Sequence, residues 1–320
     1  MVDIPFNDMK KIVTFTFIAI ITLFLIVISF YWKNDIDIEE LKNKYAYPSS
    51  SFYFLDGLNI HYRDVGKGET ILLIHGTGSS LHTWEKWIDI LSPDYRVVSF
   101  DLPGFGLTGP DPDHNYQISR YTAILDSLMV KLKIDSFHIA GNSLGGLVAW
   151  RYTTQFPQKI LTLNLLDAAG LPQAGKKHPF IFQLAKFPVL STLLQKVTPK
   201  FIIKKSLLEV YKNDKLVTEK LIDRYFELSL REGNRTAFVK RMSQLNEKLV
   251  ISDLNNIATP VLIQWGKDDR WIPLANGYKF KKLIPKSDLK IYDSGHVPME
   301  ENPIETVKDY MIFLKKSKED

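Results

Sequence analysis

Gly141-Asn142-Ser143-Leu144-Gly145 is the stretch of this chain that indicates its fold. It follows the apolar run from Ser136 to Ala140 and opens a helix-like run from Leu144 to Gln155. A serine between two glycines at the junction of a strand and a helix is the pattern of a nucleophile elbow. The glycines permit a sharp backbone turn that exposes the serine hydroxyl at a helix N-terminus. Because so short a motif also occurs by chance, the surrounding sequence decides whether Ser143 is a nucleophile.

A second glycine loop, His75-Gly76-Thr77-Gly78, follows the apolar run from Thr70 to Ile74. An anionic tetrahedral oxygen has to be met by fixed donors, and two loops can supply one donor each. We therefore predict an oxyanion hole formed by the backbone N–H groups of Thr77 and Leu144. The alternative is that these glycines only form a tight strand-to-helix turn.

A carboxylate and an imidazole each follow a later apolar run. Asp269 comes shortly after the run from Pro260 to Trp265, and His296 comes shortly after the run from Leu289 to Tyr292. Either residue alone is usually solvated or structural. Together with the two glycine loops they predict a catalytic triad of Ser143, Asp269 and His296.

Three other residues compete for these roles. Asp268 adjoins Asp269 and is the competing acid, while Glu300 is a more remote candidate. His75 is the alternative base, but its position inside the glycine loop favours a structural role.

The rest of the pattern alternates strands with helices. This alternation predicts an α/β fold with a mostly parallel central sheet and helices on both faces. Asp56-Gly57 between two strand-like runs predicts a hairpin near the start of the sheet. The alternation stops between Leu166 and Pro260, which predicts an inserted helical cap. The predicted domains are a catalytic domain of residues 51–170 and 251–320 and a cap of residues 171–250.

The N-terminal region is predicted to contain one transmembrane helix. Residues 12–32 are apolar and uncharged, and about 21 residues match the hydrocarbon thickness of a bilayer. A cleaved secretion signal is the alternative, but its apolar core would be shorter and followed by small residues. Tyr31 and Trp32 suit the membrane interface. Residues 1–11 are then a short tail and residues 33–50 a polar tether.

Positive charges flank the apolar segment on both sides. Lys10 and Lys11 precede it, whereas Lys33, Lys42 and Lys44 follow it. This distribution does not by itself determine the orientation. The hypothesis adopted is a single-pass membrane protein with its catalytic domain on the non-cytoplasmic side.

Composition excludes several functional classes. The chain has 320 residues, 45% hydrophobic content and a net charge of +5, which is an ordinary globular composition. There is no cysteine, so disulfides and thiol nucleophiles are excluded. The histidines are scattered and no metal-binding pattern or dinucleotide fingerprint occurs, so neither a metal nor an organic cofactor is predicted. Without a basic arm or an RNA-binding motif, nucleic acid is not a predicted partner.

Several segments together resemble the α/β-hydrolase superfamily. Within it the chain is similar to single-domain esterases and lipases with a helical cap, including membrane-anchored monoacylglycerol-lipase-like and bacterial cold-active lipase-like members. The resemblance covers about residues 51–320 except the cap. The segments that carry it are His75-Gly-Thr-Gly78, Arg96 to Gly106, Gly141 to Gly146, Gly266 to Asp269 with Pro273, and Gly295 to Pro298 with Glu300 and Pro303.

The resemblance implies a serine hydrolase that cleaves carboxylic esters through an acyl-enzyme on Ser143. The order of Ser143, Asp269 and His296 is the order of this superfamily, although some members place the acid one strand earlier. A serine at the elbow argues against relatives that open epoxides or remove halides with an aspartate. Three alternatives stay open: a hydrolase of carbon–carbon bonds in ring-fission products, whose elbow also reads Gly-Asn-Ser; an acyltransferase; and a non-enzymatic binding module.

The cap sequence suggests the kind of substrate. Residues 171–215 contain nine lysines against two acidic residues, interleaved with aromatic and aliphatic residues. Such a stretch can lie on an anionic bilayer, or its apolar residues can pack on the catalytic domain while its lysines face water. Our hypothesis is that anchor and cap hold the site near lipid, so that the substrate is a lipid or another hydrophobic ester. The lysines are Lys176, Lys177, Lys186, Lys196, Lys200, Lys204, Lys205, Lys212 and Lys215.

Overall fold

The computed structural model describes residues 6–172, 192, 195–244 and 250–319. Its strands are β1 (Ser50–Leu55), β2 (Leu58–Val65), β3 (Thr70–Ile74), β4 (Arg96–Phe100), β5 (Phe137–Asn142), β6 (Ile160–Leu166), β7 (Val261–Gly266) and β8 (Ser287–Tyr292). They form one sheet in the order β1-β2-β4-β3-β5-β6-β7-β8. β1 and β2 form the predicted hairpin, β2 is antiparallel to β4, and the other neighbours are parallel. The predicted α/β fold with a mostly parallel sheet is confirmed.

Helices cover both faces of this sheet. Along β3, Ile71 and Leu73 join one buried cluster, whereas Leu72 and Ile74 join another. Successive strand residues point to opposite faces, so an unbroken apolar strand requires cover on each. Helices Glu85–Leu91 and Pro303–Lys316 pack on the first face, and helices Ile118–Lys131, Leu144–Gln155 and Leu274–Leu283 pack on the second. Shorter elements are helix Pro298–Glu301 and the 3₁₀ helices Leu81–Trp84, Pro157–Lys159, Asp214–Leu216 and Ile251–Asn256.

The predicted cap contains three described α-helices: Lys200–Val210, Glu219–Ser229 and Asn234–Ser243. Several residues of the basic amphipathic stretch lie outside the described part of the chain. They are Lys176, Lys177 and Lys186, together with Phe180, Phe182, Leu184, Phe187, Leu190, Leu193 and Leu194.

Acidic side chains from other segments compensate part of the lysine charge of the cap. Lys200 lies 2.5 Å from Asp223, and Lys204 lies 3.3 Å from Glu219. Lys196 similarly pairs with Asp35 and Lys212 with Asp268, at 3.1 and 2.8 Å. The charge counted along residues 171–215 therefore overstates the positive potential of the folded cap, because the partners of these lysines lie outside that window.

An apolar helix, Phe6–Tyr31, forms the N-terminal element. Its stretch Met9–Tyr31 has a mean hydropathy of 2.8, and none of the most apolar 18 residues of this stretch is buried in protein. By length and composition this helix can cross a membrane. We call it the anchor helix.

The segment 33–50 differs from the polar tether that its composition predicts. It contains helix Ile38–Tyr45. Asp37 is the N-cap residue of this helix, and its side chain accepts a hydrogen bond from the Glu39 backbone N–H. Leu41 of this helix is buried in a small cluster with Leu107 and Leu228. Ile36, Ile38 and Tyr45 of the segment pack against the same cluster, but charged residues separate these apolar residues in the sequence. The segment is therefore docked onto the rest of the protein instead of spanning freely.

Asp101, directly after β4, is a buried carboxylate that holds neighbouring loops together. Its Oδ1 accepts a hydrogen bond from the backbone N–H of Leu81 at 2.7 Å. Its Oδ2 accepts from the backbone N–H of Leu107 at 2.8 Å and pairs with Nδ1 of His61 at 2.7 Å. Burial opposes ionisation of Asp101, but the attraction and hydrogen bond of His61 outweigh it and lower the pKa to about 2.

We expect Asp101→Asn to lower the free energy of unfolding by about 2–4 kcal/mol, because the amide nitrogen cannot accept the hydrogen bonds that reach Oδ2. The pKa of Asp101 is lower in the folded protein than the roughly 3.9 of an unfolded aspartate. The wild type therefore has the full advantage above about pH 4 and loses it as the pH falls toward about 2. Thermal unfolding in detergent across this range measures the difference, and equal melting temperatures at neutral pH would contradict this role.

Candidate active site

Ser143 lies in a sharp turn between β5 and helix Leu144–Gln155. Its backbone has φ +54° and ψ −114°, a conformation that is strained for a residue with a side chain. The flanking glycines are required by space. A Cβ atom at Gly141 would lie 2.2 Å from the carbonyl oxygen of Gly145, and one at Gly145 would lie 2.1 Å from that of Ile74. The motif therefore forms the elbow that its sequence predicts.

His296 and Asp269 form a buried hydrogen-bonded pair. Nδ1 of His296 lies 2.7 Å from Oδ2 of Asp269. Oδ1 of Asp269 accepts hydrogen bonds from the backbone N–H groups of Trp271 and Ile272, at 2.7 and 2.9 Å. Nε2 of His296 is buried and has no hydrogen-bond partner among the described residues. Since His296 and Ser143 line the same pocket, Nε2 is the nitrogen available to the serine hydroxyl.

The two competing acids lie in other environments. Asp268 is exposed and pairs with Lys212 at 2.8 Å. Glu300 is hydrogen-bonded to the hydroxyl groups of Thr83 and Tyr211. The described partners of these two carboxylates do not include His296, whereas Asp269 is hydrogen-bonded to it. The geometry therefore favours Asp269 as the acid.

His75 holds the glycine loop in shape. Its Nε2 accepts a hydrogen bond from the backbone N–H of Leu102 at 2.9 Å, so Nδ1 carries the proton and donates it to the carbonyl oxygen of Gly76 at 2.7 Å. Burial lowers the pKa of His75 and favours this neutral form. With both ring nitrogens engaged in backbone contacts, His75 is placed as a structural residue.

The glycine loop passes directly beside the elbow. A Cβ atom at Gly76 would lie 3.1 Å from Cβ of Ser143, and Thr77 lines the same pocket as Ser143. Leu144 is the first residue of its helix, where backbone N–H groups have no acceptor within the helix. The two predicted oxyanion donors therefore belong to segments on either side of Ser143, although their role stays a prediction.

The pocket that contains Ser143 and His296 extends between the catalytic domain and the cap. The glycine loop and the Gly104–Gly106 turn form part of its wall. Its cap side is mainly apolar, and Ser79 of the catalytic domain is hydrogen-bonded there to the hydroxyl of Tyr225 at 3.1 Å. The apolar residues from the cap are Pro199, Ile202, Ile203, Leu207, Val210, Leu228 and Phe238.

A second arrangement of serine, histidine and aspartate lies elsewhere in the sheet. Oγ of Ser50 is 2.7 Å from Nε2 of His61, whose Nδ1 is 2.7 Å from Asp101. None of these three residues lines the described pocket, and the hydroxyl of Ser50 also accepts the backbone N–H of Tyr47 at 2.9 Å. A serine that is hydrogen-bonded to a histidine, which in turn contacts an aspartate, is therefore not identified as a nucleophile by these contacts alone. A substrate also has to reach the serine.

Asp167 is a site residue that the sequence analysis did not single out. It is buried directly after β6, and one donor atom each of Asp167, Asp269 and His296 lies within 4.8 Å of the others. These atoms could converge on a metal, but Nδ1 of His296 and both oxygens of Asp269 already take part in hydrogen bonds. The signal that could have revealed Asp167 is its place at the carboxyl end of an apolar strand.

Known proteins are similar to this chain over most of its length. The 2-hydroxy-6-oxo-2,4-heptadienoate hydrolase of Pseudomonas putida is 27% identical over 268 residues, which cover 80% of this chain and 93% of the relative. Among solved structures, a membrane phospholipase A described as a bacterial virulence factor matches 98% of this chain and 99% of its own, with 24% identity and a TM-score of 0.74. A thermophilic esterase from Thermogutta terrifontis matches 84% of this chain and 98% of its own, with 22% identity and a TM-score of 0.70.

The family model for the alpha/beta hydrolase fold matches residues 69–303. This range begins just before β3 and includes the glycine loop, the elbow, the cap, Asp269 and His296. The match covers well over half of the sequence, and the sheet order and elbow geometry agree with it. The chain belongs to the α/β-hydrolase family and is a hydrolase of that fold.

Proposed function

We propose that this hydrolase cleaves carboxylic esters with a long apolar part, through an acyl-enzyme on Ser143. The observation that carries the proposal is the apolar pocket that leads from Ser143 to the cap. Ile203 and Leu207 of the cap line it together with Phe238. Burying an acyl chain against such residues is favourable by about 0.8 kcal/mol per methylene group.

The mechanism follows from the hydrogen bond between Asp269 and His296 and from the pocket that His296 shares with Ser143. Asp269 holds Nδ1–H of His296, so Nε2 is the base that removes the Ser143 proton as the oxygen attacks the ester carbonyl. The backbone N–H groups of Thr77 and Leu144 meet the oxygen that becomes negative. His296 then gives the proton to the leaving alkoxide, which departs as the alcohol. Water repeats the sequence on the acyl-enzyme, and the acid is released.

The path of the N-terminus supports a substrate that comes from a membrane. The backbone of Trp32 pairs with Val197 of the cap, and Lys33 N–H donates to the carbonyl oxygen of Lys196 at 2.9 Å. The ring of Tyr31, the last residue of the anchor helix, lies 5.8 Å from that of the exposed Phe201. The chain thus passes from the apolar helix directly onto the cap that forms the pocket wall. We propose that the anchor helix spans the membrane and holds the pocket near lipid; the non-cytoplasmic side stays a prediction.

Cleavage of a carbon–carbon bond is the second candidate, because the Pseudomonas putida relative is named as a hydrolase of a dienoate. A dienoate carries a carboxylate, which is bound best by a cationic side chain. Among the described residues that line the pocket, Arg235 is the one arginine or lysine. Its charge is compensated by Asp35, which lies 2.5 Å away. The pocket therefore favours an uncharged apolar chain over a carboxylate.

The full-length protein in detergent should hydrolyse nitrophenyl esters, with a preference for a medium or long acyl chain. We expect Ser143→Ala to lower kcat by at least about 10³-fold, because it removes the covalent path. Ser50→Ala is the matched control, since Ser50 has a similar hydrogen bond to a histidine but no access to the pocket, and it should keep activity within about 3-fold of wild type. A time course of nitrophenol release measures each rate.

Two outcomes would redirect this proposal. Cleavage of a dienoate with no hydrolysis of any ester would contradict ester hydrolysis and favour the carbon–carbon reaction. Formation of a new ester when a long-chain alcohol is added would indicate acyl transfer, because the same acyl-enzyme would then react with the alcohol instead of water.

The cap side of the pocket should set the acyl chain length. Ile203→Trp fills part of the pocket, so we expect about a 10-fold or greater loss of kcat/KM on long-chain esters and little change on acetate. Phe201→Trp is the control on the same helix, because Phe201 is exposed and does not line the pocket. The ratio of long-chain to short-chain kcat/KM measures the effect. An unchanged ratio in Ile203→Trp would place the acyl chain elsewhere.

A further inference from the structure

Asp167 presents an unpaired carboxyl oxygen inside the triad region. The residue directly follows β6 and has a positive φ of +44°. Its backbone N–H donates to the carbonyl oxygen of Gln264 at 3.0 Å, and its Oδ1 accepts from the backbone N–H of Gly266 at 2.9 Å. Its Oδ2 is buried and accepts no hydrogen bond from a described residue. Two backbone contacts with β7 thus fix where the second oxygen lies.

Asp269 is the buried carboxyl group next to Asp167. One carboxyl oxygen of Asp167 lies within 4.8 Å of a carboxyl oxygen of Asp269 and of a ring nitrogen of His296. Two buried carboxylates at such a distance disfavour each other's charge. A single proton on one of the two removes this repulsion.

The hydrogen bonds of the pair decide which carboxyl keeps the proton. Asp269 accepts three hydrogen bonds, from Trp271, Ile272 and His296, whereas Asp167 accepts one, from Gly266. Hydrogen bonds from donors stabilise the charged form, so the difference in their number favours Asp167 as the carboxyl that holds the proton.

The electrostatic surroundings of Asp167 agree with this assignment. Burial and then the nearby charge of Asp269 raise the pKa of Asp167 well above its usual range. Glu301, which accepts a hydrogen bond from the Gly295 backbone N–H at 2.6 Å, is the other acidic group that acts on Asp167, and it raises the pKa further.

We propose that Asp167 is a neutral carboxylic acid whose O–H group faces the carboxylate of Asp269, and that it acts as a positioning residue for the triad. This inference rests on the proposed roles of Asp269 and His296. A neutral donor restrains Asp269 without adding a second negative charge beside the imidazole. A second carboxylate would instead favour the protonated imidazole, which cannot act as a base.

The first test compares Asp167→Asn with Asp167→Leu. Asparagine is neutral, can accept from Gly266 and can donate toward Asp269, so kcat should stay within about 3-fold and the acidic limb of the kcat/KM profile should move by less than about 0.3 pH units. Leucine removes the donor, so kcat should fall by about 10-fold or more with little change in KM. A shift of the acidic limb by about one unit or more to lower pH in Asp167→Asn would show that Asp167 is ionised and would overturn the proposal. Equal kcat in both variants would also overturn it.

A second measurement is independent of any substrate. Infrared difference spectra of the wild type against Asp167→Asn at neutral pH should show the carbonyl stretch of one protonated carboxylic acid, which disappears in the variant. A carboxylate band in its place would contradict the neutral assignment. Because this spectrum needs no turnover, it also separates failure of this inference from failure of the proposed ester hydrolysis.

Discussion

The contact between Gly145 and the carbonyl oxygen of Ile74 is the constraint on which the rest of the site depends. Helix Leu144–Gln155 starts so close to β3 that a Cβ atom at Gly145 would overlap this oxygen at 2.1 Å. This close approach accompanies the sharp turn that holds Ser143 at φ +54°. The glycine loop that follows β3 lies beside the serine, because a Cβ atom at Gly76 would be 3.1 Å from that of Ser143.

Much of this arrangement could be predicted from the sequence, because buried parallel strands appear as short apolar runs. β3 has the bounds of the apolar run from Thr70 to Ile74, and the residues that follow strands collect at one edge of the sheet. For that reason the sequence could pair Asp269 with His296. Asp167 also follows a strand, but its significance depends on the distance to a residue about a hundred positions later, and periodicity contains no such information.

The contacts that were not predicted are those between segments with no shared pattern. Helix Leu274–Leu283 includes Gly277, whose lack of a side chain lets the helix approach the ring of Trp265, since a Cβ atom at Gly277 would lie only 3.0 Å from that ring. The segment after the anchor helix reads as polar, yet Asp35 pairs with Arg235 and Leu41 is buried. Both cases involve a few residues whose partners lie on other segments of the chain, and local composition cannot reveal such contacts.

We propose that Ser143 is the nucleophile of a pocket suited to long apolar chains. Mass spectrometry after reaction of the full-length protein with a long-chain nitrophenyl phosphonate tests it most directly, because the reagent imitates the tetrahedral intermediate and stays attached to the attacking oxygen. We expect one adduct per chain, on the peptide that contains Ser143, and faster labelling with a long alkyl group than with a methyl group. An adduct on another residue such as Ser50, or no adduct on the folded protein, would contradict it.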